Sequence, residues 1–137
     1  MTTIANAISA LGISEWVLRG EPTNEAEFKA MFRKVMGADS NNSAIESADP
    51  KDFGTTWKAV SDKKTELVNA EPMRLLRVER DRLLAETDWM ANSDVTLADN
   101  WKTYRQELRD LPASASPKLS SDGSLDMSSV TWPTKPS

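Results

Sequence analysis

Apolar positions in the first half of the chain recur at helical spacing and are broken by glycine and proline. Ile4, Ala7, Ile8 and Leu11 predict a short helix, Gly12 a turn, and Ser14 to Arg19, with Trp16, Val17 and Leu18, a strand. Gly20 and Pro22 end it. Thr23 is placed to cap a helix over residues 24–36, with Glu25 and Glu27 in its first turn and Phe28, Met31, Phe32, Val35 and Met36 as its apolar stripe. Gly37 closes that helix. Asp39 to Pro50 is rich in Asn, Ser and Asp, has Ile45 as its one large apolar residue, and reads as a loop.

The second half is more strongly periodic. Trp57, Val60, Lys64, Leu67 and Val68 predict a third helix over residues 55–69, with the Lys64 stem lying along the apolar face. Pro72 fits the first turn of a fourth helix reaching Met90. At 100° per residue, Met73, Leu76, Leu83, Leu84 and Met90 share one side of it, and Leu75, Val78, Ala85 and Trp89 share another. A helix with two apolar faces is sandwiched, between elements of its own chain or between its hairpin partner and another molecule. Thr96 is placed to cap a fifth helix in which Leu97, Trp101, Tyr104, Leu108 and Leu111 form one seam. Lys102, Arg105, Gln106, Arg109 and Asp110 occupy the opposite, solvated side, and Pro112 ends the helix. The short connection around Asn92 to Val95 makes the fourth and fifth helices an antiparallel hairpin.

Composition narrows the chemistry. Four of the seven prolines lie from Pro112 onward, among many serines, so this segment cannot bury a core of its own. With 39% hydrophobic residues over 137 positions, the core is modest. The chain has no cysteine and no histidine, which removes disulfides, thiolate nucleophiles, imidazole bases and the usual zinc sites. A net charge of -4 argues against nucleic acid or an anionic membrane as the main partner, and no apolar run is long enough to span a bilayer. Met1 to Leu11 has neither a basic region nor a long apolar run of the kind a signal peptide carries, so synthesis in the cytosol is expected.

Candidate sites follow from the faces. The fifth-helix seam reads as packing, with Trp101 and Tyr104 set against Leu76 and Leu83, Leu108 below them, and a cost of about 3–5 kcal/mol for truncating Trp101. Arg80 projects near the centre of the Met73/Leu76/Leu83 face and needs a carboxylate, for which Asp88, Asp99 and Glu107 are the candidates within the chain and a partner's carboxylate is the alternative. Leu75, Val78 and Trp89 are left for another surface, either the N-terminal helices or a protein partner, and Trp89 is an intramolecular lid or an intermolecular anchor. Trp132 and Pro133, at the end of a Ser-rich run, read as an anchor on a tethered arm. Asp39, Asn41 and Ser43 match the start of a calcium loop, but the required glycine is missing and Pro50 stands where a Glu is needed. Asp81 and Asp88 could form an acid–base dyad for glycan cleavage, but they sit on a charged helix with no pocket indicated. No catalytic residue, metal site or cofactor is expected.

The run Met73-Arg74-Leu75-Leu76-Arg77-Val78-Glu79-Arg80-Asp81-Arg82-Leu83-Leu84-Ala85-Glu86-Thr87-Asp88-Trp89 resembles the signature of the phage tail assembly chaperone (tail-fibre assembly) family. Trp101, Tyr104-Arg105-Gln106, Leu108-Arg109-Asp110-Leu111-Pro112 and Val130-Thr131-Trp132-Pro133 are similar to that family's second helix and its C-terminal Trp-Pro ending. The likeness covers residues 71–133, and the segments Glu15 to Gly20 and Glu21 to Phe53 resemble N-terminal regions joined to this module in phages of cyanobacteria. The resemblance implies a non-enzymatic protein that binds phage tail or tail-fibre subunits as a chaperone, in the host cytoplasm during assembly. The alternative is a minor structural component of the virion tail, an adaptor or decoration, with a tail-associated glycan hydrolase a distant third. A homo-oligomer within a tail assembly is compatible with either binding role. The expected fold is mainly α: a helical hairpin or small helical bundle with a short N-terminal β element and an extended C-terminal arm. Its expected parts are an N-terminal helical region over 1–70, a tail-assembly-type hairpin over 71–111 and a Pro/Ser-rich arm over 112–137.

Overall fold

Thr3 and Asn6 begin the fold with a reciprocal cap: the Thr3 hydroxyl accepts the Asn6 N–H at 3.2 Å, and the Asn6 side chain accepts the Thr3 N–H at 2.8 Å. Helix α1 (Ile4–Ala10) follows and buries Ile4, Ala7 and Ile8. The computed structural model describes residues 1–137, which divide into two compact units, Met1–Asn69 and Ala70–Ser137. In the first, α1 turns at Gly12 (φ +79°) into strand β1 (Trp16–Leu18). Asn24, not Thr23, caps helix α2 (Glu25–Met31), its side chain accepting the Glu27 N–H at 2.9 Å. Thr23 instead donates both its N–H and its hydroxyl to Glu27, at 2.8 and 2.9 Å.

The expected 24–36 helix stops at Met31, and Phe32–Ala38 is strand β2. Strand β3 (Ala44–Ser47) lies in what composition marks as a loop. The three form an antiparallel sheet in the order β1-β2-β3, with Leu18 opposite Phe32, Trp16 opposite Lys34, and Lys34 opposite Ser47. Met36 is the extra residue of a bulge, between the pairs Val35–Glu46 and Gly37–Ile45. The Asn/Ser/Asp stretch is a hairpin turn: Asp39 Oδ1 accepts the N–H groups of Asn41 and Ser43 at 2.8 and 3.0 Å, and Asn42 takes φ +61°. Pairing on both sides of β2 outweighs the helical stripe, because Phe28 and Phe32 reach the same core whether the chain continues as helix or turns to strand. That core joins Phe28, Phe32 and Phe53 to Ile4, Ala7, Ile8 and Val60, with Phe28–Phe32 and Phe32–Phe53 ring centroids 5.0 and 4.7 Å apart.

The third and fourth predicted helices are one, α3 (Trp57–Ala85), with Pro72 inside it. Its N-terminal part packs Trp57, Val60 and Leu67 into the first unit's core. The second unit begins with the rest of α3, which ends at Ala85, short of Met90, and is followed by a 3-10 turn at Asp88–Ala91. Helix α4 (Asp99–Ser114) starts after Ala98 without a side-chain cap, so Thr96 does not cap it. The helix also runs through Pro112, its last turn closed by Ala115 N–H on the Leu111 carbonyl at 3.0 Å. Leu76 packs with Leu111, while the Leu84 carbonyl receives Arg105, so α4 runs back along the second part of α3.

The fold is therefore mixed α and β rather than a mainly α bundle: four α-helices and a three-stranded antiparallel sheet. Nor is the region after Pro112 simply extended. Leu119 and Leu125 form an antiparallel bridge around a turn at Gly123, Asp126 caps a 3-10 turn at Met127–Ser129, and Val130 is buried on Leu76 and Leu111.

Candidate functional site

Leu76 and Leu108 are fully buried and Tyr104 nearly so, while Leu83 is half-buried. Trp101 is also half-buried and stands edge-on to Tyr104, centroids 5.9 Å apart. Leu76 buries itself against Leu111 and Val130 rather than the Trp101 indole, so the seam's weight lies nearer the helix's C-terminal end than its spacing implies. Burial raises the Tyr104 pKa, and the neighbouring Glu86 carboxylate adds to it, with Arg82 opposing. Arg80 pairs with its neighbour Asp81 at 2.8 Å, not with Asp88, Asp99 or Glu107; the adjacent carboxylate lies at the helix surface, and Asp88 is taken by Arg105.

The unexpected centre is Arg105. Expected on the solvated side of its helix, it is folded inward, its side chain only 13% exposed. It donates to the Leu84 carbonyl at 2.9 Å, to the Thr87 hydroxyl at 2.5 Å and to Asp88 at 3.0 Å. Thr87 is buried and donates in turn to the Leu84 carbonyl at 3.1 Å. The last carbonyls of a helix lack partners and carry its negative end, so a guanidinium there satisfies a hydrogen-bond and a charge requirement together. The signal in sequence is a helix ending at Ala85 with no basic residue after Arg82 to cover it; the cation arrives from α4 instead.

This clasp holds the turn that carries Trp89. Asp88 is tied to Arg105, and beside it the Trp89 indole is 57% exposed. Val78, on α3, is 55% exposed, and Leu75, one turn before it, is half-buried. The helix ends roughly 10 Å beyond Val78, at 1.5 Å per residue. Leu75 and Val78 thus lie together, and Trp89 stands past the helix end. Trp132 and Pro133 lie apart from these, in a cleft of 430 Å³ with Glu107, Asp110 and Leu111 of α4. Trp132 packs on the Leu76/Leu111/Val130 cluster, its indole N–H on the Met127 carbonyl at 3.2 Å.

The exposed residues and the clasp all fall in one stretch of the sequence. Residues 73–137 match the family model described as phage tail assembly chaperone protein. No curated protein and no solved structure matches the chain. The matched segment comprises the second part of α3, the Arg105 clasp, α4 and everything after it, and this part of the chain is similar to phage tail assembly chaperones. In that segment the two carboxylates weighed as a dyad are both engaged, Asp81 by Arg80 and Asp88 by Arg105. No helix is long and apolar enough to cross a membrane.

Proposed function

We propose that the protein acts in phage tail assembly without catalysis, binding a tail or tail-fibre subunit through Leu75, Val78 and Trp89 and shielding that subunit's apolar surface until it assembles. The observation that carries this reading is Trp89. A large aromatic left more than half exposed costs solubility, and here it sits on a turn held by an ion pair rather than on a loose loop. Rigid, exposed tryptophans are the residue type on which protein interfaces concentrate binding energy. The family match supplies the context, and a chaperone family is in keeping with binding rather than turnover. Action would take place in the host cytoplasm during assembly.

The test is V78S/W89S in the full chain. Both side chains are exposed, so the variant is expected to keep the wild-type circular dichroism and thermal midpoint while losing co-purification with tail or fibre protein and the production of infectious particles. Wild-type titre from a folded variant would remove this face as the partner site. Mass spectrometry of purified particles separates the chaperone from the adaptor: a chaperone is absent, and an adaptor is present at a fixed copy number.

A further inference from the structure

Beyond the Ala115 N–H that closes the last turn of α4, the hydrogen bonds of the following segment close within it. Asp126 N–H donates to the Lys118 carbonyl at 2.8 Å, Ser120 N–H to the Ser124 carbonyl at 2.7 Å, and Lys118 N–H to the Ser129 hydroxyl at 2.9 Å. The arm is thus a self-bonded piece, and what joins it to the helices is apolar: Val130, with Leu125 and Trp132, over Met73, Leu76 and Leu111. One ion pair crosses, Lys135 to Glu86 at 3.7 Å, with the lysine side chain 56% exposed. At that length and exposure it adds little.

The cover also fits loosely. Beside the 430 Å³ cleft at Trp132 and Pro133, a second of 340 Å³ opens at Ser129, Val130 and Thr131 against Leu111, Ser114 and Ala115. Leu111 and Thr131 line both. Both clefts open to solvent at the edge of the arm, so the arm covers the groove incompletely.

We infer that the Met73/Leu76/Leu111 groove is a binding site for an extended peptide, that the chain's own arm is its resting occupant, and that a tail-subunit segment of the same pattern displaces it. The pattern is read from Val130-Thr131-Trp132-Pro133-Thr134-Lys135. An aliphatic residue is buried, an aromatic two residues on lies across the rim, proline keeps the strand extended, and a cation two further on meets carboxylates. Those carboxylates are Glu86, which Lys135 approaches, and Glu107, which shares a cleft with Lys135. The inference rests on the proposed function only for the identity of the competitor; the exchange itself needs no tail subunit.

The probe is a synthetic peptide of residues 117–137 carrying a fluorophore, titrated against the full chain. A tethered arm competes at an effective concentration of about millimolar, so the native chain binds the probe weakly. In V130S/W132S the arm loses its hold, and the probe is expected to bind at least about tenfold more tightly. A probe with the same two serines should not bind. Equal binding of the probe to native chain and folded variant, or none to either, overturns the inference. Should V130S/W132S fail to fold, a chain with a protease site between Ser116 and Pro117, cut after folding, replaces it: the severed arm must exchange with excess probe during gel filtration, and an arm retained after a day of incubation overturns the inference. Exchange that persists in V78S/W89S, whatever happens to tail-subunit capture, keeps this site distinct from the Trp89 surface.

Discussion

The two units are held by different means. Residues 1–69 stack Phe28, Phe32 and Phe53, bring Trp16 and Trp57 against them, and brace the cluster with a hydrogen-bonded sheet. Residues 70–137 have no strand of their own, and their core is made of Leu76, Leu111 and Val130, with Tyr104 and Leu108 buried along α4. Both tryptophans of the first unit are half-buried against its core, whereas the second unit leaves Trp89 exposed. The thinner core and the family match coincide. In that unit a polar clasp, Arg105 on Leu84, Thr87 and Asp88, does the positioning that ring packing does in the first.

The largest expected difference comes from the rings. Phe32→Ala should cost about 3–5 kcal/mol in denaturant unfolding, because it opens a cavity between two other rings; a cost below about 1 would mean the aromatic cluster is not what holds the first unit. Leu76→Ala should cost less, about 2–3 kcal/mol, since a groove already flanked by clefts can collapse around the loss. Arg105→Ala should cost about 1–3 kcal/mol, the range of hydrogen bonds to charged groups, and Arg105→Lys should restore only part of it, because one ammonium cannot fork across Leu84, Thr87 and Asp88. Full recovery in the lysine variant would reduce the clasp to a point charge. Trp101→Ala, with a half-exposed indole, should cost about 1–2 kcal/mol, below the figure its seam position suggests.

The smallest effect is that of acid. Hydrogen bonds from Thr23 hold the Glu27 carboxyl below its ordinary value of 4.5, and Arg82 does the same for Glu79. Both folded pKa values are depressed, so each contribution is present above pH 4.5 and is lost as pH falls toward the folded value. The thermal midpoint of the native chain should therefore drop more steeply below pH 4.5 than that of E27Q/E79Q, and parallel curves would show that neither pair matters.

How far these contrasts could be read in advance depends on range. Local signals held: the α1 stripe, the strand at Trp16, and the burial of Tyr104 and Leu108 follow from spacing alone. The β2 and β3 strands escaped because their evidence is pairing, and Phe32 and Val35 suit a helix stripe equally well until partners are known. Arg105 escaped for the same reason. One position along a helix separates it from Tyr104, and only the location of another helix's end turns that position from solvent to structure. The single stripe expected for Val78 and Trp89 is divided, because α3 ends at Ala85 and Trp89 stands on the 3-10 turn beyond it, though both side chains are exposed.

Pro72 has a bearing on where a helix can begin. It interrupts the hydrogen-bond ladder of α3 at the Val68 carbonyl, beside the boundary between the units and one residue before the family match begins. A proline tolerated in mid-helix is equally at home as the opening residue of one. A fragment starting just upstream of it would carry its own helix start, because the first turn needs no partner for the N–H that proline lacks.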